Sequence, residues 1–309
     1  MKQDYKLPLS YVLARDFRLN KYKYLLVLPV LAYFVLFCYK PMYGLIIAFQ
    51  DYRANLGIMG SRWVGLRHFQ AFFNDPYFFR LLRNTLSISL LSIVFGFPAP
   101  IILAIFLNEI KNVAFRRTVQ TVTYMPYFIS MIVVCSLIRT FTASDGLFSQ
   151  IAVSFGGVGK NYLMFPQHFY PIYILSGIWE TIGWNSIIYL AALTSIDQEQ
   201  YEAAIIDGAG RFRRIWSITM PNLLPIIMVL FILRMGGILN VGFEKIILLY
   251  NPNTYQVADV ISTFVYRRGI QEAAYSYATA VGLFNSLVNI VFLVTANTLS
   301  RKFTEKSLF

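Results

Sequence analysis

The stretch Asp197-Gln-Glu-Gln-Tyr-Glu-Ala-Ala-Ile-Ile-Asp-Gly-Ala-Gly-Arg-Phe-Arg-Arg-Ile-Trp-Ser-Ile-Thr-Met-Pro221 lies between two long apolar blocks, too polar to cross a bilayer yet strongly patterned. Ser195 and Gln198 have the spacing of a capping box that opens a helix. Gly208 and Gly210 can end it in the left-handed conformation that side chains disfavour. Pro221 suits the first turn of a following helix, where its missing N–H has no partner to lose. The stretch therefore reads as two short helices with a kink. On the first, Tyr201, Ala204, Ile205 and Gly208 share one face. After the kink, Arg211, Phe212, Ile215 and Trp216 form a basic and aromatic tip that can plug a groove on another protein. An amphipathic helix lying among lipid headgroups is the competing reading from physical chemistry alone.

Outward from this loop, the flanking blocks are 170–193 and 223–241, and four more occupy 25–49, 85–107, 119–138 and 277–299. Each holds 19 to 25 residues, enough for a bilayer core of about 30 Å. The 309 residues are 57% hydrophobic and only 14% charged, with a mean hydropathy of +0.56, whereas soluble domains carry about 25% charged residues. The expected fold is an all-α membrane protein of six transmembrane helices. It divides into an N-terminal tail (1–24), a first span with its outer segment (25–83), a five-helix core carrying the loop at 195–221 (84–299) and a C-terminal tail (300–309). No small-residue cleavage site follows the first apolar run, which is expected to be retained.

Fifteen of the 27 Lys and Arg residues fall in the two tails and the two loops on one side, against ten in the opposite segments. The positive-inside rule then places both termini in the cytoplasm of a multi-pass cell-membrane protein. The outer segments, 50–83, 139–169 and 242–276, mix aromatics with turn signals and are expected to be ordered with short helices. The net charge of +12 is scattered between apolar blocks, which argues against nucleic acid as a partner. Cys38 and Cys135 both lie inside apolar blocks and read as small apolar residues, not as metal ligands or a disulfide.

The loop also carries a recognisable pattern: Glu202-Ala203-Ala204, then Gly208, then Ile218, Met220 and Pro221. This spacing resembles the EAA loop of permease subunits in binding-protein-dependent type I ABC importers, with Met220 where that family usually has Leu, a volume-conserving change. The stretches from Gly183 to Leu193, Asn240 to Pro252 and Tyr277 to Leu283 resemble the polysaccharide and oligosaccharide branch, as do Trp63 to Leu66 and Asn84-Thr85. The resemblance implies the type I permease fold with cytoplasmic coupling helices. It also implies a second permease subunit, two ATPase subunits, an extracytoplasmic solute-binding protein and an oligosaccharide substrate. By residue, it implies that Glu202, Ala203, Ala204 and Gly208 shape the coupling helices, and that Ala209, Gly210, Arg211 and Phe212 enter the ATPase groove.

This chain shows no nucleotide site of its own. Gly159-Lys160 fails as a P-loop, because Ser154 stands where the first Gly belongs and Asn161 where Ser or Thr would hold magnesium. ATP and Mg are therefore expected on partner subunits, with no cofactor here. His68 and His168 lie 100 residues apart without a catalytic or metal motif, so neither catalytic nor metal-ligating residues are assigned. Within the spans, Glu180 and Arg234 are costly charges that should face a bundle interior or an aqueous cavity. Glu180 and Trp184 share a helix face, pairing a carboxylate with an aromatic plane in a way that suits a sugar, with Asn185 and Tyr189 nearby. The competing expectation is that Glu180 and Arg234 pair and hold the bundle together. Asn285 and Asn289 follow Gly282 on a small and polar stripe, usual for helix packing and a candidate for the pathway. An ion-coupled secondary transporter using Glu180 and Arg234 is the alternative from a different class.

Overall fold

A computed structural model describes residues 9–304; 1–8 of the N-terminal tail and 305–309 of the C-terminal tail lie outside the described residues. Apart from a two-residue antiparallel ladder pairing Gln50 with Trp63 and Asp51 with Arg62, its regular structure is helical. Among the described residues, five helical stretches are long and apolar enough to cross a membrane: Arg15–Phe49, Phe78–Glu109, Met131–Ser154, Arg211–Met235 and Tyr275–Lys302. The block expected as the fourth span forms the 29-residue helix Pro166–Thr194, which is not among these five. At about 1.5 Å per residue it exceeds a bilayer core in length, but Trp179, Glu180, Trp184 and Asn185 interrupt its apolar run.

Three of the spanning helices continue through a proline by widening. The π-turns Phe34–Tyr39, Ser92–Gly96 and Ile215–Thr219 directly precede the turns holding Pro41, Pro98 and Pro221. A proline lacks its N–H and its ring presses on the carbonyl four residues back. A π-turn shifts that bonding by one residue, so the helix survives.

The third expected span, 119–138, is not continuous. Its helix Val113–Tyr124 stops, Met125–Phe128 forms a 3-10 turn, Ile129 and Ser130 are extended, and a new helix begins at Met131. Pro126 is the physical cause, and the apolar stretch consequently lies further along the chain. The fifth span is displaced the other way: its helix ends at Met235 before Gly236 and Gly237, leaving 238–241 outside it.

The segments 50–83 and 242–276 form short helices, as expected, whereas the first part of 139–169 belongs to the candidate span Met131–Ser154. Asp259, fully buried, receives Arg267 at 2.8 Å and Arg80 at 3.4 Å, and its backbone carbonyl accepts from Asn84 Nδ2 at 2.9 Å. This cluster fastens the 242–276 segment to the start of the second span. The first span differs: none of its apolar window is buried by the rest of the chain. Its last turns, Tyr43–Phe49, pack on the sixth span. Cys38 is exposed and Cys135 buried, both as free thiols.

The Pro166–Thr194 helix is the axis of the core and packs most extensively on Pro98–Glu109. Gly183 lets it approach the Val113–Tyr124 helix: a methyl group there would collide with the Thr123 carbonyl and lie 2.8 Å from Tyr124 Cδ1. A Gly183→Ala chain should therefore lose about 1–3 kcal/mol to overpacking against backbone that cannot swing aside. A lowered unfolding midpoint of the detergent-purified protein checks this; an unchanged midpoint contradicts the close approach.

Candidate functional site

The loop is built as a rigid elbow. Its first helix, Gln198–Ile206, is capped by Asp197, whose carboxylate accepts from the Glu199 N–H at 3.0 Å. The expected box of Ser195 with Gln198 is not formed, because the Ser195 hydroxyl instead donates to the Ala192 carbonyl and closes the preceding helix. At the other end Gly208 adopts φ +74°. Its N–H bonds Ile205 O at 3.0 Å, and Ala209 N–H bonds Ala204 O at 2.8 Å. These are the two bonds of a Schellman motif, which requires a left-handed residue at this position. Gly210, at φ −66° and ψ 168°, is extended and starts the next helix instead of ending the first.

That next helix is not a separate short one. It runs without interruption from Arg211 to Met235, so the tip of the loop and the fifth span are a single rod. Tyr201 ties the first helix to this rod through its hydroxyl, 2.9 Å from Thr219 Oγ1. Phe212 and Trp216 remain 81% and 69% exposed, and Glu202 and Ala203 are exposed as well. The elbow thus presents aromatic surface that its own chain leaves uncovered.

At the other end of the rod lies a cavity of about 680 Å³, lined by Glu180, Trp184, Asn185, Tyr189 and Arg234 among others. Five of the residues singled out from sequence therefore meet in one place. Glu180 and Arg234 do not pair. Glu180 Oε2 is instead 3.2 Å from Lys245 Nζ, with side chains 12% and 5% exposed. Lys245 comes from the short helix Phe243–Leu249, which turns back into the core beside Tyr173. Sequence reasoning placed Lys245 in an outer segment and missed it. The available signal was a lone cation inside the apolar run Phe243 to Leu249. Trp184 stacks on Tyr127, with ring centroids 4.6 Å apart and planes within 3°, and Phe128 meets its edge. Both partners belong to the break in the third span, and neither was anticipated.

Asn289 lies outside the cavity. Its Oδ1 accepts the Leu239 N–H at 3.0 Å, while Asn289 Nδ2 and Asn285 Nδ2 both reach Asn240 Oδ1, at 3.3 and 3.1 Å. The two asparagines thus satisfy the turn that follows the fifth span, where backbone groups have left the helix. Asn285 also borders a second hollow of about 890 Å³ with Ser262 and Gly282. Among the described residues, no group of three or more His, Cys, Asp or Glu is placed to hold a metal.

Residues 96–305 match the family described as binding-protein-dependent transport system inner membrane component. The chain is 47% identical to Protein LplB of Bacillus subtilis (strain 168), covering 94% of this chain and 92% of that protein. It is 46% identical to the polygalacturonan/rhamnogalacturonan transport system permease protein YteP of the same strain, covering 94% and 91%. The fold superposes with a TM-score of 0.88 and 43% identity on a chain from the crystal structure of a bacterial alginate ABC transporter in complex with alginate pentasaccharide-bound periplasmic protein, covering 95% of this chain and 99% of that one. With the loop spacing and the helical core, these matches decide against the ion-coupled alternative. The chain belongs to the family of inner-membrane components of binding-protein-dependent transport systems, and is an ABC permease of the sugar and oligosaccharide kind.

Proposed function

We propose that this chain forms half of the translocation pathway of an ATP-driven oligosaccharide importer and is driven through its 195–221 loop. The observation that carries the reading is the unbroken helix from Arg211 to Met235. It joins the exposed Phe212 and Trp216 to Arg234 in the cavity wall, and 25 residues at about 1.5 Å each make a lever of nearly 40 Å. A shift imposed on the tip is delivered to the cavity along one continuous helix, through the π-turn at Ile215–Thr219.

In this reading the loop and both termini face the cytoplasm, and Glu202, Ala203, Ala204 and Gly208 hold the elbow while Ala209, Gly210, Arg211 and Phe212 enter a groove on an ATPase subunit. Two ATPase subunits bind ATP and Mg. When they close on ATP they prefer one spacing of two such loops, and this differential affinity shifts the permease pair between inward-open and outward-open states. The second permease packs on the first span, whose apolar surface its own chain leaves bare. A solute-binding protein delivers the sugar to the outer face. Glu180, Trp184, Asn185, Tyr189 and Arg234 line its path; Asn285 and Asn289 support the path by fixing the turn at Asn240.

The test is ATPase activity of the complex purified on this chain and reconstituted in liposomes, with solute-binding protein loaded with galacturonan, alginate or neutral glucan oligosaccharides. Stimulation by a loaded binding protein is expected. A purified chain that carries no ATPase, or an ATPase indifferent to every loaded binding protein, overturns the proposal.

A further inference from the structure

The cavity holds one carboxylate and two cations: Glu180, Lys245 and Arg234. The carboxylate is already neutralised, since Lys245 Nζ sits 3.2 Å from it with both side chains nearly buried. Arg234 is in no ion pair with any described residue. It lies in the last turn of its helix, where the negative end of the helix dipole favours a cation. That placement explains how a guanidinium persists there without a carboxylate partner. An unpaired charge within a spanning helix otherwise belongs in an aqueous cavity that uses it.

The rest of the wall completes a carbohydrate site. Trp184, held flat by Tyr127, offers a plane, and Asn185 offers an amide. A neutral sugar could use these groups and would leave the guanidinium unanswered. A sugar carboxylate matches its planar fork through two parallel N–H···O bonds.

We infer that Arg234 binds a carboxylate of the transported sugar, so that this permease selects uronate-bearing oligosaccharides over neutral ones of the same shape. The inference rests on the importer reading above and adds to it the charge of the substrate and the residue that senses it.

The experiment is equilibrium binding by calorimetry to the purified permease–ATPase complex without solute-binding protein, which removes that protein's own selectivity. The probes are trigalacturonate and its fully methyl-esterified, uncharged form. The wild-type complex should bind the acid at least about tenfold more tightly, the usual scale for a hydrogen bond to a charged group, with the preference shrinking as NaCl is raised. Arg234→Gln should abolish the preference by weakening the acid alone. Arg234→Lys should keep part of it, having the charge but not the fork. An unchanged elution profile and unfolding midpoint of each variant complex show that the assembly is intact.

Equal affinity of the wild-type complex for acid and ester overturns the inference, as does an Arg234→Gln complex that still prefers the acid. Equal weakening of both probes also overturns it, and assigns Arg234 to a contact within the assembly. In each of these cases, stimulation of the ATPase by loaded binding protein leaves the importer reading standing. A wild-type complex that binds neither probe and shows no such stimulation removes both.

Discussion

A Gly208→Val chain is expected to insert and assemble normally, yet to lose oligosaccharide uptake by at least about tenfold, while Gly208→Asn keeps most of it. Gly208 stands at φ +74° with nothing within 4 Å of where a side chain would begin. Within this chain, then, the position needs glycine for its backbone and not for space. A β-branched residue is the poorest fit to the left-handed region, and asparagine among the best of the side-chain residues. The penalty of about 1–3 kcal/mol falls on the two Schellman bonds that set the angle between Gln198–Ile206 and the rod. The spans themselves are untouched, so amounts in the membrane should hold while ATPase activity and uptake separate. Full uptake by the valine chain sinks the coupling role. Loss with both substitutions would mean that a partner's groove, not the backbone angle, excludes the side chain.

Replacing Lys245 by methionine should cost about 3–5 kcal/mol, the scale for stripping one partner from a buried ion pair. Glu180 would lose its counter-charge in a site only 12% exposed, with no other cation placed on it. Removing both charges together, as Lys245→Met with Glu180→Gln, should recover most of the loss, because the uncompensated carboxylate is gone. The readout is the thermal unfolding midpoint of the detergent-purified complex across the four members of the cycle. A single Lys245→Met variant as stable as the parent contradicts the pairing. Because the pair joins the Phe243–Leu249 helix to the middle of the fourth span, the single variant should also unmoor that helix, and proteolysis within 242–249 should accelerate.

Local features were legible in the sequence, and each has a local cause. The apolar blocks placed the fourth and sixth helices within a few residues, because the length of an apolar run is what a bilayer selects, whereas the third is broken at Pro126 and the fifth begins at Arg211. Gly208 was legible as the left-handed end of a helix, because that conformation is a property of one residue. The loop's residue pattern pointed to the family that the whole-chain matches confirm. Signals with two local solutions went astray. Ser195 and Asp197 could each cap the same helix, and Asp197 does so. Pro126 could have been absorbed by a π-turn, as at Pro98 and Pro221, and breaks the helix instead.

What the sequence by itself determined is the class of molecule: a polytopic helical permease, its loop, and the set of polar residues that cannot face lipid. Which of those residues meet was decided only by the tertiary structure. Glu180 and Lys245 are 65 positions apart, and their pairing depends on the Phe243–Leu249 helix folding back into the core, a choice made by the packing of Ile246 and Leu249 against Val134, Phe169 and Tyr173. With Glu180 so engaged, Arg234 is left unpaired in the cavity. Asn289 likewise bonds the turn at Leu239 and does not line this cavity. Hydropathy records that a charge must be hidden from lipid; which partner hides it depends on contacts between distant segments, and these exist only once the helices have packed.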